Sequence, residues 1–141
     1  MKKIISIIIT IAAIAAGSMI GKSVVTSFFG PDESFDKALA KAASDLNATL
    51  PMMVDKETRL DSSMGGPGMV FTYNYTLINY TKDQLNIEAL KKELRPSILN
   101  YAKTDPSMQG FRDADVKLVY RYKDKNSAFL FDISIQPEEY Q

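Results

Sequence analysis

Between Lys3 and Lys22 the chain carries no charge, and isoleucine dominates from Ile4 to Ile20. Nothing else in the sequence restricts the fold as much, because a run this apolar is expected to anchor in a bilayer or be removed as a signal, with a buried soluble helix as the remaining alternative. A membrane helix needs about 20 apolar residues, with a lower limit near 17, and Lys22 can snorkel to extend the span. A secretory signal asks instead for a basic start, an apolar middle and a small-x-small cleavage site. Lys2-Lys3 supplies that start, and Ala13-Ile14-Ala15 supplies the site, with cleavage before Ala16.

Ser23-Val24-Val25-Thr26-Ser27-Phe28-Phe29 stays apolar beyond Lys22, and Gly30-Pro31 ends the segment. As one helix, residues 4–29 would measure about 39 Å, enough to span a membrane. Gly17 and Gly21 form a GxxxG pair, which lets two membrane helices approach closely and would support a homodimer. In a signal peptide the same small residues would simply mark the end of the apolar region. Under both readings the lysine pair stays in the cytoplasm and the rest is exported. The expected organisation is residues 1–29 as membrane anchor or signal segment and residues 30–141 as one exported domain. The expected location is the inner (cytoplasmic) membrane, single-pass, with the C-terminal domain outside. The alternative is a periplasmic or secreted protein cut near Ala15.

The chain has 17 basic and 17 acidic residues, but Lys2, Lys3 and Lys22 all belong to the N-terminal segment. The exported part therefore holds 14 basic against 17 acidic residues, a net charge of −3. Such a domain has no general attraction for nucleic acid, which is not an expected partner. His and Cys are both absent from the sequence. That excludes a Ser-His-Asp triad, thiol chemistry, disulfides, and the usual zinc, haem and iron–sulfur ligand sets. No catalytic residue, cofactor or metal ligand is assigned.

In the exported part the apolar spacing predicts helix, hairpin, helix, hairpin. Pro31-Asp32-Glu33-Ser34 opens the first helix, and Phe35, Ala38, Leu39, Ala42, Ala43 and Leu46 recur at helical intervals before Leu50-Pro51 stops it. A strand is expected from Met53 or Val54 to Asp61, then a loop at Ser62–Gly68. Met69, Phe71, Tyr73, Tyr75 and Leu77 then alternate with polar residues as a half-buried strand. The second helix starts near Asp83 and buries Ile87, Leu90, Leu94, Ile98, Tyr101 and Ala102. Pro96 should kink it or begin a new one. A loop at Thr104–Gly110 leads to strands around Val116–Lys123 and Phe129–Ile135, with Pro137 as the stop. The expected architecture is α+β: an N-terminal hydrophobic helix, then an αββαββ domain whose four-stranded antiparallel sheet carries two helices on one face.

Asp55, Glu57, Arg59 and Asp61 would share one strand face. They could hold a hard cation or supply an acid and a base, but an internally paired, solvated face is the expected role. Met64, Gly65, Gly66 and Gly68 lie in a loop whose glycines expose backbone N–H groups, although the Lys-Ser/Thr ending of a P-loop is missing. A flexible hairpin connection, serving as an interaction tip, fits that loop better. Together these eight residues form the expected interaction surface. The five methionines at 52, 53, 64, 69 and 108 lack the spacing of a copper site and read as packing residues. Tyr73, Tyr75, Tyr120 and Tyr122, with Phe71, Phe129 and Phe131, could stack bases or sugars, but they fall on the predicted core face. Lys117, Arg121 and Lys123 on the other face could meet an acidic partner, with Asp132 offsetting part of their charge. Three glycosylation sequons, at Asn47, Asn74 and Asn79, read as chance matches.

The stretch Leu50-Pro51-Met52-Met53-Val54-Asp55-Lys56-Glu57-Thr58-Arg59-Leu60-Asp61, followed by Gly66-Pro67-Gly68-Met69-Val70-Phe71-Thr72-Tyr73-Asn74-Tyr75-Thr76-Leu77, carries a resemblance. With Leu94-Arg95-Pro96 and Met108 it resembles a family of small uncharacterised bacterial exported or membrane-anchored proteins. The resemblance implies export, and often a Gly-rich membrane helix, and it carries over no functional residue. Members of that group often have cysteines in the exported domain, which this chain lacks. The expected function is a membrane-tethered envelope protein with a non-catalytic domain that binds an envelope protein partner. The alternatives are a secreted or periplasmic binding protein or inhibitor, and third an enzyme built on Asp55, Glu57, Asp61 or a lysine.

Overall fold

The computed structural model describes residues 34–141. The anchor or signal segment, the Gly17–Gly21 pair and the helix-opening Pro31-Asp32-Glu33 lie outside them. Among the described residues no helix is long and apolar enough to cross a membrane.

Helix α1 (Ser34–Asn47) is followed by strands β1 (Met52–Met53), β2 (Thr58–Gly65) and β3 (Val70–Leu77). Helix α2 (Ile87–Thr104) and a short α3 (Gln109–Asp113) lead to β4 (Lys117–Lys123) and β5 (Phe129–Ile135). A four-residue helix α4 (Pro137–Tyr140) follows β5. The fold is α+β, with a five-stranded sheet in the order β1-β2-β3-β4-β5.

The sheet is mixed, which corrects the expected four-stranded antiparallel arrangement. Strands β2–β3 and β4–β5 form antiparallel hairpins, but β3 and β4 run parallel, with Val70 opposite Lys117 and Thr76 opposite Lys123. The reason is the length of the connection. At about 1.5 Å per residue, α2 runs about 27 Å back along the sheet, so β4 enters at the end where β3 began. Pro96 lies within α2, which continues through it as one element. Its side is exposed, so water can take the carbonyl that loses its N–H partner.

One face of the sheet is the core. Phe71, Tyr73, Tyr75, Leu118, Tyr120, Tyr122, Phe131, Ile133 and Ile135 are all buried there. Their rings stack across strands, Tyr73 on Tyr120 at 5.1 Å and Tyr75 on Tyr122 at 4.9 Å between centroids. The tyrosines are therefore packing residues, and burial pushes the Tyr73 and Tyr75 hydroxyls well above their usual range. Phe129 departs from the expected pattern and is 52% exposed. A register shift between Tyr122 and Lys123 sets Lys123 opposite Phe129 and turns Leu130 inward.

Both main helices cover this core face. Helix α1 buries Ala38, Leu39, Ala42, Ala43 and Leu46 and packs on β2. Helix α2 buries Leu90, Leu94, Ile98, Tyr101 and Ala102 and lies against β5. The Tyr140 hydroxyl donates to the Val116 carbonyl and lies 3.1 Å from that of Phe111, which ties α4 to the segment entering β4.

Candidate functional site

Strand β2 does not carry the four expected charges on one face. Val54-Asp55-Lys56-Glu57 form the turn between β1 and β2 rather than a strand. The Asp55 carboxylate accepts the N–H groups of Glu57 at 2.7 Å and Thr58 at 2.8 Å, closing that turn. The hydrogen-bonding side chain two residues upstream is what lets the chain reverse here. Glu57 accepts from Asn79 at 2.6 Å. Arg59 and Asp61 do lie on β2, paired at 2.5 Å on the face away from the helices, and Thr76 donates to the same carboxylate. Arg121 and Asp132 pair at 2.9 Å on that face, as expected of Asp132. Partly exposed pairs like these add at most about 1 kcal/mol each.

The expected loop at Ser62–Gly68 is shorter than its glycines suggested: Ser62, Ser63, Met64 and Gly65 belong to β2 and pair with β3, and the turn begins at Gly66, about 20 Å from the Asp55 turn at the usual strand rise. It is tied down rather than loose. The Asp36 carboxylate of α1 accepts the N–H groups of Gly68 at 3.2 Å and Met69 at 3.1 Å. Gly66 and Gly68 hold positive φ of 75° and 82°, conformations that a side chain resists. Met64 is exposed. The backbone donors that might have cradled an anion are thus already used, those of Gly68 and Met69 by Asp36 and that of Gly66 by the Val70 carbonyl. Asp36→Ala is expected to speed amide exchange at Gly68 and Met69 on the order of fivefold, with little change elsewhere. Exchange measured by mass spectrometry or NMR would show it, and an unchanged rate would mean the loop is held by its own turn.

Among the described residues no group of three or more Asp or Glu side chains gathers in metal-binding geometry. Asp55 Oδ2, Thr58 Oγ1 and the Tyr120 hydroxyl are buried without a hydrogen-bond partner.

Among the described residues, one feature with room for a ligand is a cleft that the sequence did not signal. It measures about 680 Å³ between α2 and β5 and is lined by Asn86, Glu88, Ala89, Lys91, Lys92, Arg95, Asp132, Ile133 and Ser134. Its floor is the edge of the sheet. No strand pairs with the outer side of β5 among the described residues. Arg95 donates to the Ser134 carbonyl at 3.2 Å and to Glu139 at 2.6 Å. The N–H of Gln136 and the Arg95 guanidinium together hold the Glu139 carboxyl below its usual value.

The sheet's other margin is treated differently. Strand β1 pairs only with Arg59 and Leu60. Past a bulge between Leu60 and Ser62, the Asn47 side chain takes both main-chain groups of Ser63, accepting at 2.7 Å and donating at 2.9 Å. A carboxamide thus stands where a neighbouring strand would bond. Edges left open invite pairing with another chain, so a covered margin beside an open one is informative.

These observations define a non-disulfide, two-layer α+β domain with one covered sheet margin and one open margin set in a polar cleft. The chain belongs to the family described as a domain of unknown function, DUF8479, whose model matches residues 34–131. No curated protein matches it. Its fold is similar to that of a Pseudomonas aeruginosa protein described as secreted, with TM-score 0.65 and 9% identity over 79% of this chain and 100% of that one. It is also similar to EpsS, a pilotin of the Vibrio vulnificus type 2 secretion system, with TM-score 0.59 and 12% identity over 76% of this chain and 92% of that one. AspS, the type II secretion pilotin of Vibrio cholerae, matches with TM-score 0.55 and 10% identity over 74% and 91% of the two chains.

Proposed function

We propose that this chain is a non-catalytic protein of the bacterial envelope whose exported domain binds a protein partner through the cleft between α2 and β5. The observation that carries the reading is the fold it shares with two type II secretion pilotins over nearly their whole length. The N-terminal apolar run supports export, and the resemblance to small exported or membrane-anchored bacterial proteins agrees with it. In the tethered form that run holds the domain at the outer side of the cytoplasmic membrane. Cleavage after Ala15 would release it into the periplasm or beyond.

The test uses the full chain in cells, with a photo-crosslinking amino acid at Lys92 in the cleft and, as control, at Lys41 on α1. Lys41 pairs with Asp45 on α1, the helix that packs on β2, and no α1 residue lines the cleft. A discrete envelope-protein adduct from position 92 and none from position 41 is expected. Equal adducts from both positions, or none from position 92, would overturn the cleft as the binding site. Intact mass of the recovered chain would separate the tethered form from the cleaved one.

A further inference from the structure

We infer that the cleft takes its partner as an extended segment that adds to β5 as a sixth strand and carries acidic residues at alternate positions. The inference rests on the binding role proposed above and names the chemistry of what binds.

The first argument is geometric. In an antiparallel strand the N–H and C=O of one residue point to the same side. Arg95, on α2, reaches the Ser134 carbonyl, so Ser134 turns its main chain away from β4 and into the cleft. Two residues along, Asp132 presents its main-chain groups to the same side. Arg121 and Asp132 are then a non-hydrogen-bonded pair, the kind that brings opposed side chains closest, which agrees with their ion pair. The edge therefore turns the main-chain groups of Asp132 and the Ser134 N–H toward the cavity, while the Ser134 carbonyl is already bonded to Arg95. An extended chain would satisfy the open groups in sequence and share the Ser134 carbonyl with Arg95, which a helix laid in the cleft would not do.

The second argument is charge. Arg95 is matched by Glu139, and Asp132 by Arg121. Among the described residues Lys91 and Lys92 have no ion pair within 4.0 Å, and Glu88 is the one remaining carboxylate of the lining. The cleft thus presents surplus positive charge in a domain whose exported part is net acidic. Side chains of an added strand alternate between the α2 side and the opposite face. Acidic residues on the α2 side would meet Lys91, Lys92 and the outer edge of Arg95.

The probe is a fluorescein-labelled heptapeptide alternating glutamate and valine, with a lysine–valine counterpart as control, titrated into the full chain and followed by anisotropy. The acidic peptide should bind, and the basic one should not. The K91E/K92E double variant should weaken binding about tenfold or more, as like charges then face each other. Ser134→Pro removes only an outward N–H, which an edge strand tolerates, so it should abolish binding while circular dichroism stays unchanged. Amide exchange at Asp132 and Ser134 should slow in the complex. Equal binding of both peptides would overturn the charge assignment. Acidic-peptide binding that survives Ser134→Pro without amide protection would overturn strand addition. If Ser134→Pro perturbs the fold, the exchange measurement on the unaltered chain decides alone. A partner captured from position 92 while the acidic peptide fails would sink this inference and spare the proposed function.

Discussion

Gly65→Ala is expected to be the most damaging single-methyl change in the domain, costing about 3 kcal/mol or more. A Cβ at this position would fall inside the Leu39 carbonyl group of α1 and 2.8 Å from the backbone nitrogen of Ala40. Both obstacles are helix backbone, so no rotamer change can relieve the overlap. Helix α1 would have to lift off β2, and that would loosen the packing of Ala42, Ala43 and Leu46 and pull Asn47 away from Ser63. For a domain near this size the loss corresponds to a fall in Tm of roughly 10–20 °C. Gly68→Ala is the control. Its φ of 82° makes alanine strained, but nothing lies within 4 Å of the added carbon. It should cost only about 1 kcal/mol. Paired urea or thermal unfolding curves would settle the matter, and equal losses for the two variants would show that α1 does not ride this closely on β2.

That contact also shows what the sequence could and could not reveal. The alternation of Phe71, Tyr73 and Tyr75 with polar residues set the core face of β3 correctly, because one buried face imposes a period of two. The helical spacing of Leu90, Leu94, Ile98 and Tyr101 did the same for α2. What periodicity misses is any place where the period breaks. The bulge between Leu60 and Ser62 shifts β2 by a residue, so that Ser63 and Gly65 both face α1. The Asp55 turn hides within what reads as continued alternation. The parallel pairing of β3 and β4 follows from the reach of α2, which spacing alone does not convey. Helix α3, predicted partly as loop, is held by Arg112 donating to the carbonyls of Ala102 and Asp105, contacts made only once the chain has folded.

The candidate site was less legible than the fold. Asp55, Glu57, Arg59, Asp61 and the glycine loop drew attention as a dense polar stretch, yet they occupy opposite ends of β2. The cleft residues come from two segments some 40 positions apart, and its main feature is backbone rather than side chain. A sequence pattern does not show which strand will stand at an edge. Arg95 was visible only as part of a family-like motif, with no hint that it reaches Ser134.

The second large effect is expected at Asp124, which is 3% exposed and holds the fold together at the end of β4. Its carboxylate accepts from Asn126 at 2.8 Å and Ala128 at 2.9 Å, shaping the β4–β5 turn, and from Lys82 at 2.8 Å. The Lys82 bond reaches the turn that leads into α2. Because β3 and β4 are parallel, their ends meet here, and one carboxylate fixes both exits. Asp124→Ala removes three charge-assisted bonds and should cost about 2–3 kcal/mol at pH 7. Burial raises the Asp124 carboxyl, but the three backbone donors outweigh it and leave the group below its ordinary value. A carboxyl lowered in the folded state contributes stability that is complete above the unfolded value of about 4. That contribution is lost as pH falls through the folded value. The gap between wild type and Asp124→Ala should therefore narrow steadily below about pH 4, which urea unfolding at pH 7 and at pH 3 would measure. Asp124→Asn keeps an acceptor oxygen without the charge and should fall between the two, with a gap from Asp124→Ala that does not vary with pH. A constant difference between wild type and Asp124→Ala across that range would mean the neutral carboxyl serves the three donors as well as the carboxylate, and a difference near zero that the turn is held by its backbone alone. Because Lys82 lies just before Asn86, which caps α2 and lines the cleft, the alanine variant should also weaken cleft binding at neutral pH. This couples a carboxylate buried at the end of β4 to the wall of the candidate site.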